Sequence, residues 1–322
     1  MEYLIPHYGS LKLVKKAVRS IRRCDGNARI LIGDDTRLLQ TSDFTTKVNI
    51  FKGPQRGFAA NVNNLLRNAQ YEWVVIINND VELFSDWRVI IENNLEELDP
   101  KIYCLASSLY RPDGRVDSFG DNYSWYGQGY NRFHLLSPKN KMYNRVRVLG
   151  ATGALMVVRR SVLLRYGGFS EILGSYCEDT AFHLLANNDG WCSYFIPDAR
   201  AFHTGSATFN LDQKLQLSAR NSLLVIRSLF KGKLRQHLLR RAYHYWKLKA
   251  LFSRKFRLQI LEGIRAGLSE IPYRAKRKID HWPDGLYFEG FATSTWRLTK
   301  QLLGNRVIAK LGRLFTLNDI DS

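Results

Sequence analysis

Over its first hundred residues the chain alternates short apolar runs, each stopping at a polar cluster, with stretches whose apolar residues recur every three or four positions. This pattern constrains the fold more than any other feature. Tyr3-Leu4-Ile5 ends at Pro6, residues 29–33 stop at Asp34-Asp35, and residues 73–77 stop at Asn78-Asn79-Asp80. Residues 48–51 form another such run. Between them, Leu11, Val14, Val18 and Ile21 mark one helix stripe, and Val62, Leu65 and Leu66 mark a second within residues 58–68. A further helix is expected over 85–98, with Ser85 as N-cap. Strands alternating with helices predict an α/β fold whose mostly parallel sheet is covered on both faces. The pattern resumes later, with strands at 154–158 and 193–196 and helices at 161–166 and 178–187. From about 212 to 280 the chain reads as helical and basic. Residues 101–150, with Asp113-Gly114, Gly120, Gly127 and Gly129, read as an irregular flap or insertion.

Composition narrows the class. The 322 residues are 45% hydrophobic and 24% charged, which excludes a disordered chain and a disulfide-stapled scaffold. No apolar run reaches the roughly 18 residues that span a bilayer. Met1-Glu2-Tyr3-Leu4-Ile5-Pro6 lacks a basic region ahead of an apolar one, so a cytoplasmic protein is expected. Cys24, Cys104, Cys177 and Cys192 lie far apart without Cys-x-x-Cys spacing and are expected as reduced thiols. The net charge is +19, and it is uneven: residues 231–322 hold 20 Lys/Arg against 7 Asp/Glu. That end of the chain favours an anionic surface, whether nucleic acid, acidic phospholipid or a phosphorylated substrate.

In open α/β sheets, ligands bind beyond the carboxyl ends of the strands. Pro6-His7-Tyr8, Asp34-Asp35-Thr36 and Asn78-Asn79-Asp80 would converge there. No Gly-x-x-x-x-Gly-Lys or Gly-x-Gly-x-x-Gly opens a helix, which argues against a nucleotide hydrolase or dinucleotide dehydrogenase. Asp34 or Asp35 can accept hydrogen bonds from a base or ribose. Asp80 can ligate a divalent cation whose shell substrate phosphates and water complete. A nucleoside diphosphate fits these groups.

These motifs, in this order, resemble the inverting glycosyltransferases of family 2, with the GT-A fold, and among them a rhamnosyltransferase-like subgroup. Ile5-Pro6-His7-Tyr8 is similar to the family's opening strand and Pro-x-Tyr turn, and Gly33-Asp34-Asp35-Thr36 to its nucleoside-binding Asp-Asp/Asn-x-Ser. The stretch from Arg56-Gly57-Phe58 through Asn61 to Asn64 resembles Asn-x-Gly-Phe-(small)-x-x-Asn. Asn78-Asn79-Asp80 stands where the metal-binding Asp-x-Asp is found. Thr152-Gly153-Ala154, Arg159-Arg160-Ser161, Gly167-Gly168-Phe169-Ser170-Glu171, Glu178-Asp179 and His203-Thr204-Gly205-Ser206 follow the acceptor-side pattern. Gly9 and Arg56 replace two usual asparagines, and Asn78 replaces the first metal-motif carboxylate.

The resemblance covers residues 3–225 and implies a GT-A domain over 1–225, followed by a basic helical region over 226–322. It implies donor binding by Pro6, Tyr8, Asp34, Asp35, Arg56, Gly57, Asn61 and Asn79, and Mg or Mn held by Asp80 and His203. Asp179 would be the general base, with Glu178 orienting the acceptor. Apart from the resemblance, Trp125, Tyr126 and Tyr130 are expected either to stack on an acceptor sugar or, as loop aromatics more often do, to pack. The implied partners are a nucleoside-diphosphate sugar, with dTDP-rhamnose first among donors, and a glycan or lipid-linked glycan of the cell surface. Two competing readings are a basic nucleic-acid binder, disfavoured because no nucleic-acid motif is present, and an inactive relative that keeps the fold. In the basic region, Leu234, Leu238, Leu239, Tyr243, Trp246 and Ala250 recur at helical spacing among cations. That stripe is expected either to lie on an acidic membrane, making the protein peripheral on its cytosolic face, or to pack inward.

Overall fold

A computed structural model describes residues 1–96, 99–124, 126–136, 144–205, 210–275 and 277–282. The alternation opens with β1 (Glu2–His7), α1 (Leu11–Cys24), β2 (Arg29–Asp34), β3 (Asn49–Lys52), α2 (Phe58–Asn68), β4 (Trp73–Ile77), the short β5 (Val81–Leu83) and α3 (Trp87–Glu96). It continues with β6 (Ile102–Tyr110), β7 (Val116–Phe119), β8 (Asp121–Tyr123), β9 (Gly129–Asn131), β10 (Val146–Val148), β11 (Leu155–Arg159), α4 (Arg160–Arg165), α5 (Glu178–Asn188) and β12 (Cys192–His203). Then come α6 (Leu211–Leu229), α7 (Gly232–Phe252) and α8 (Arg257–Ser269).

The main sheet runs β10-β12-β6-β11-β4-β1-β2-β3, with β5 beside β12 and β7 beside β6. β1 to β4 are parallel, and β12 is parallel to β6. β11 is inserted antiparallel between β4 and β6. Successive residues of β1 feed opposite faces, as the two-residue period requires. Tyr3 and Ile5 join Val14, Val18, Ile21 and Trp87 of α1 and α3. Leu4 joins Val62, Leu65 and Leu66 of α2 and Phe182 of α5. Each such buried aliphatic side chain contributes about 1.5–3 kcal/mol.

Much of the region read as an irregular flap is instead strand: β6, β7 and β10 join the main sheet, and β8 pairs with β9 in a separate two-stranded sheet. β6 is a nine-residue strand buried along all but its last residue. It lies between β11 and β12 with both faces covered, so no polar alternation marks it. Its serines are bonded within the core: Ser107 Oγ accepts from Trp87 Nε1 at 2.9 Å, and Ser108 Oγ donates to the Pro197 carbonyl at 2.7 Å. The four cysteines are free.

The chain forms two compact units. Among the described residues, one comprises 1–122, 130–210 and 282, and the other 123–129 and 211–281. In the second unit α8 approaches α6 through Gly263 and Gly267, where a Cβ would come within 2.4 Å of the Gln216 carbonyl and 2.6 Å of the Arg220 carbonyl. Leu238, Trp246 and Ala250 are buried there, and Trp246 Nε1 donates to Ser222 Oγ of α6 at 2.8 Å. Leu234, Leu239 and Tyr243 are half-buried. The apolar stripe of α7 therefore packs inward, since its indole and aliphatic groups gain more from α6 and α8 than from solvent. Tyr126 is likewise buried, stacked on Tyr245 with centroids 4.6 Å apart, and does not present its ring to a sugar. Tyr130 is half-buried, and Trp125 lies outside the described residues. Among the described residues no helix is long and apolar enough to cross a membrane.

Candidate active site

The carboxyl ends of β4, β1 and β2 lie side by side and set one edge of the site. His7 is paired in register with Asp34, and the Asp35 amide donates to the His7 carbonyl at 3.0 Å. Asp34 is turned into its own loop. Oδ1 accepts from the Thr36 amide at 2.9 Å and from its hydroxyl, and Oδ2 accepts from the Leu39 amide at 2.8 Å. Burial opposes its charge, but these hydrogen bonds prevail and hold the carboxyl below its ordinary range. Asp35 accepts from the Gln55 amide at 2.7 Å. Burial raises its carboxyl against that hydrogen bond. Asn61 donates to the Gly33 carbonyl at 2.8 Å, and a Cβ on Gly33 would collide with the Asn61 side chain. Asn79 ties β4 to β1, its Nδ2 reaching His7 Nδ1 at 2.8 Å and the Tyr8 carbonyl at 3.0 Å. Tyr8 itself is exposed.

The start of α2 is closed by protein rather than left open. Phe58 N donates to Ser175 Oγ at 3.2 Å and Ala59 N to the Gly174 carbonyl at 2.8 Å. Gly57 has φ +91° with Gly174 backbone 3.0 Å from where its Cβ would stand, so glycine is required twice over. Arg56 reaches Glu171 at 3.0 Å from an exposed position.

Asp80, just past β4, meets His203 at the end of β12, because β12 pairs antiparallel with β5 and sets His203 opposite Val81. His203 Nε2 stands 3.3 Å from Asp80 Oδ1, while Nδ1 contacts Asp117 Oδ2 at 2.7 Å. Asp80 Oδ2 also accepts from the Gly205 amide at 3.1 Å. Asp117 is buried in β7, with Arg111 and His134 each 3.6 Å from its Oδ1. Burial disfavours a charged His203, but the two carboxylates outweigh it and lift the imidazole to about 9. Burial likewise works against a charged Asp117, and its hydrogen bond to His203 leads the contacts that hold the carboxyl below its usual range. A carboxylate on Nδ1 with Nε2 turned to a second carboxylate is the geometry of a metal-binding histidine with its outer support. Asp80 and His203 thus fit as two protein ligands of a divalent cation, the remainder of the shell falling to water and substrate oxygens. Among the described residues no three His, Cys, Asp or Glu side chains gather round one such position.

Asp179 reaches the same edge through α5. Residues 179, 183 and 187 recur every fourth position on one helix face, and each bonds alternate residues of the segment leading into β11. Asn187 Nδ2 donates to the Leu149 carbonyl, His183 Nε2 to the Ala151 carbonyl, and the Gly153 amide to Asp179 Oδ2, each at 2.8 Å. The registers match because four helical residues rise about 6 Å and two extended residues about 6.6 Å. Burial keeps His183 neutral, so Nε2 carries the proton and Nδ1 accepts from the Tyr103 hydroxyl at 2.7 Å. A Cβ on Gly150 would strike the His183 ring. The segment continues to Ala154, whose carbonyl accepts from Asn78 N at 2.9 Å, two residues before Asp80. Tyr176 and Cys177, immediately before α5, both have left-handed backbones, a strain of about 1–3 kcal/mol each at the helix entrance.

Two carboxyls crowd Asp179. Glu178 is buried and its Oε2 has no hydrogen-bond partner among the described residues. Burial first, then the Asp179 charge, push it well above its usual range. Asp121 is buried beside Ser118, which donates to it at 3.0 Å, and burial and then Asp179 raise it in the same direction. Asp117 and Asp121 were not among the sequence candidates. Their signal is a pair of carboxylates four residues apart, Asp117 and Asp121, around Phe119 in the region read as irregular.

The family model for Glycosyl transferase family 2 matches residues 3–167. Uncharacterized protein y4gI of Sinorhizobium fredii (strain NBRC 101917 / NGR234) is 25% identical over 225 residues, 64% of this chain and 24% of that protein. Rhamnosyltransferase WbbL of Escherichia coli (strain K12) is 23% identical over 220 residues, 62% of this chain and 81% of that protein. The chain thus matches 24% of the length of y4gI. The structure of GalNAc-T7 with UDP, GalNAc and Mn2+ superposes with TM-score 0.56 at 13% identity, covering 84% of this chain and 56% of that one. S. aureus TarS 1–349 with UDP-GlcNAc gives 0.51 at 14% identity, covering 90% and 99%. The fold is that of these glycosyltransferases.

Proposed function

The chain belongs to glycosyl transferase family 2, and from that premise we propose that it transfers a sugar from a nucleoside diphosphate to a glycan hydroxyl, with inversion. The observation that carries this reading is His203, held between Asp117 at 2.7 Å and Asp80 at 3.3 Å on the edge where the strands end. In the reaction the acceptor oxygen bonds to the anomeric carbon as the bond from that carbon to the diphosphate oxygen breaks. The electron pair leaves with the nucleoside diphosphate, and the acceptor proton passes to Asp179. Asp179 suits this role because the Gly153 amide on Oδ2 and Thr180 on Oδ1 fix its carboxylate, while Oδ2 keeps a lone pair for a hydroxyl. Glu178 and Asp121 are pushed toward their neutral forms and can hold the acceptor by hydrogen bonds.

Asp80 and His203, the imidazole having released its Nε2 proton, would hold Mg or Mn, which when bound would offset the charge on the leaving diphosphate. The other relevant residues form the nucleoside end. Asp34 builds the loop, Asp35 accepts from base or ribose, Pro6 and Tyr8 border the base, and Asn61 and Asn79 brace the strand ends. Gly57 and Arg56 shape the adjoining turn. The Mn2+ and UDP of GalNAc-T7 and the UDP-GlcNAc of TarS support a metal and a nucleotide sugar. The name of the WbbL relative makes dTDP-rhamnose the first donor to test, with a lipid-linked glycan of the cell surface as acceptor class. The experiment is a panel of nucleotide sugars with Mg or Mn, reading nucleoside diphosphate released. Turnover is expected for one donor and lost on chelation; release that ignores both the metal and Asp80→Ala would overturn the reading.

A further inference from the structure

The helical unit carries an extreme charge pattern that the transfer chemistry does not use. Residues 231–261 contain ten Lys/Arg and no Asp or Glu. With the α7 stripe buried or half-buried, four large apolar groups stay exposed close together in the chain where α7 turns into α8, while Leu211, Leu268 and Ile271 are exposed elsewhere in the unit. Leu248, Leu251 and Phe252 lie on one face of α7 at spacings of three and one, and are 36%, 60% and 52% exposed. Leu258, in the first turn of α8, is 70% exposed. The turn between them is held shut. Arg257 donates from Nε to the Ala250 carbonyl at 3.3 Å and from Nη2 to the Leu251 carbonyl at 3.2 Å, so the start of α8 lies against the last turn of α7. Exposed Lys247, Arg254, Lys255 and Arg257 alternate with these apolar groups along the chain. Among the described residues no carboxylate pairs with Lys247, Arg254 or Lys255. Single exposed leucines are ordinary on a protein surface, but four exposed apolar residues at one turn, interspersed with unpaired cations, are not.

We propose that the corner formed by Leu248, Leu251, Phe252 and Leu258, with Arg254 and Lys255 beside it, docks on an anionic lipid bilayer. Its apolar tips enter the acyl boundary while the cations meet lipid phosphates. Both halves of the pattern are needed for this partner. Cations alone would suit nucleic acid, whose backbone offers nothing to an exposed Leu-Leu-Phe face, whereas an interfacial membrane site combines the two. The proposal does not depend on the transfer reaction.

The test is cosedimentation of the full chain with vesicles of phosphatidylcholine, with and without phosphatidylglycerol, across a salt series. The wild type is expected to bind only the anionic vesicles and to be released by salt. Arg254→Glu/Lys255→Glu and, separately, Leu251→Ser/Phe252→Ser/Leu258→Ser should each weaken partitioning by about tenfold or more. All these side chains face solvent, so circular dichroism melting should match the wild type. If the triple variant melts early, Leu258→Ser alone should still weaken binding. Three results would overturn the proposal: folded wild type that ignores anionic vesicles, apolar variants that bind as wild type, or duplex DNA that competes the vesicles away.

Discussion

At the amino end of the sheet Glu2 is fully buried, yet it is fully answered: Arg29 pairs with it, and the Gln70 and Tyr71 amides donate to it. Asp25, just before β2, is similarly met by Arg88 at 2.6 Å. At the opposite edge Glu178 is as inaccessible but has an orphaned oxygen, and Asp121 faces the charge of Asp179. Asp80 faces an imidazole that it shares with Asp117. The same residue type is therefore fully satisfied at one edge, while at the other Glu178 keeps an orphaned oxygen and Asp121 faces a like charge. Mutually repelling buried carboxyls in one place cost stability, which is what makes this edge the candidate site.

Four substitutions probe that contrast. Asp80→Ala is expected to lower transfer about a thousandfold, the upper range for removing a charge stabiliser, and to abolish the metal-dependent rise in melting temperature with nucleoside diphosphate. Near-normal turnover with the metal response intact would dissolve the contrast. At the other end, Glu2→Ala leaves Arg29 without its buried partner and should cost about 3 kcal/mol of stability, read by urea unfolding, while kcat of the folded enzyme stays unchanged. A parallel fall in kcat would mean that the two edges are not separate. Asp179→Asn should slow transfer at least about a hundredfold with donor affinity preserved, as measured by titrating donor against single-turnover rates; equal loss of donor affinity would move the base elsewhere.

The smallest effect sharpens the comparison by pH. The Glu178 carboxyl is raised in the fold, so the stability it contributes is full below its unfolded value of about 4.3 and is lost as the pH climbs toward the raised folded value. Glu178→Gln removes that loss. At neutral pH the variant should melt about 3 °C higher, and the gap should close as the pH falls below about 4. A constant gap across pH would mean that burial of the charge is not what the site bears.

Much of the site was legible because β1, β2 and β4 are apolar runs that stop abruptly, and Asp34, Asp35, Asn79 and Asp80 mark the stops. What could not be read is how those side chains are used. Asp34 is an obvious acceptor in sequence, but its oxygens serve Thr36 and Leu39 of its own loop. Asp117 escaped because its partner His203 is 86 residues away and because β6 and β7 lie in a stretch without alternation. The stripe of α7 illustrates the same limit: helical spacing reveals an apolar face, but not whether α6 or a membrane covers it.

The sequence by itself determined the order of β1 to β4 with α1 to α3, the polar residues on which those strands end, and the acid-free basic run of residues 231–261. These are local properties, set by periods of two and 3.6 residues and by composition. Only the tertiary structure decided that β11 runs antiparallel between β4 and β6, that β5 sets His203 beside Asp80, and that α5 is in register with residues 149–153 so that Gly153 holds Asp179. Those pairings depend on which distant segments share the sheet, and burial of the whole core selects them together, so no single stretch of chain contains the information.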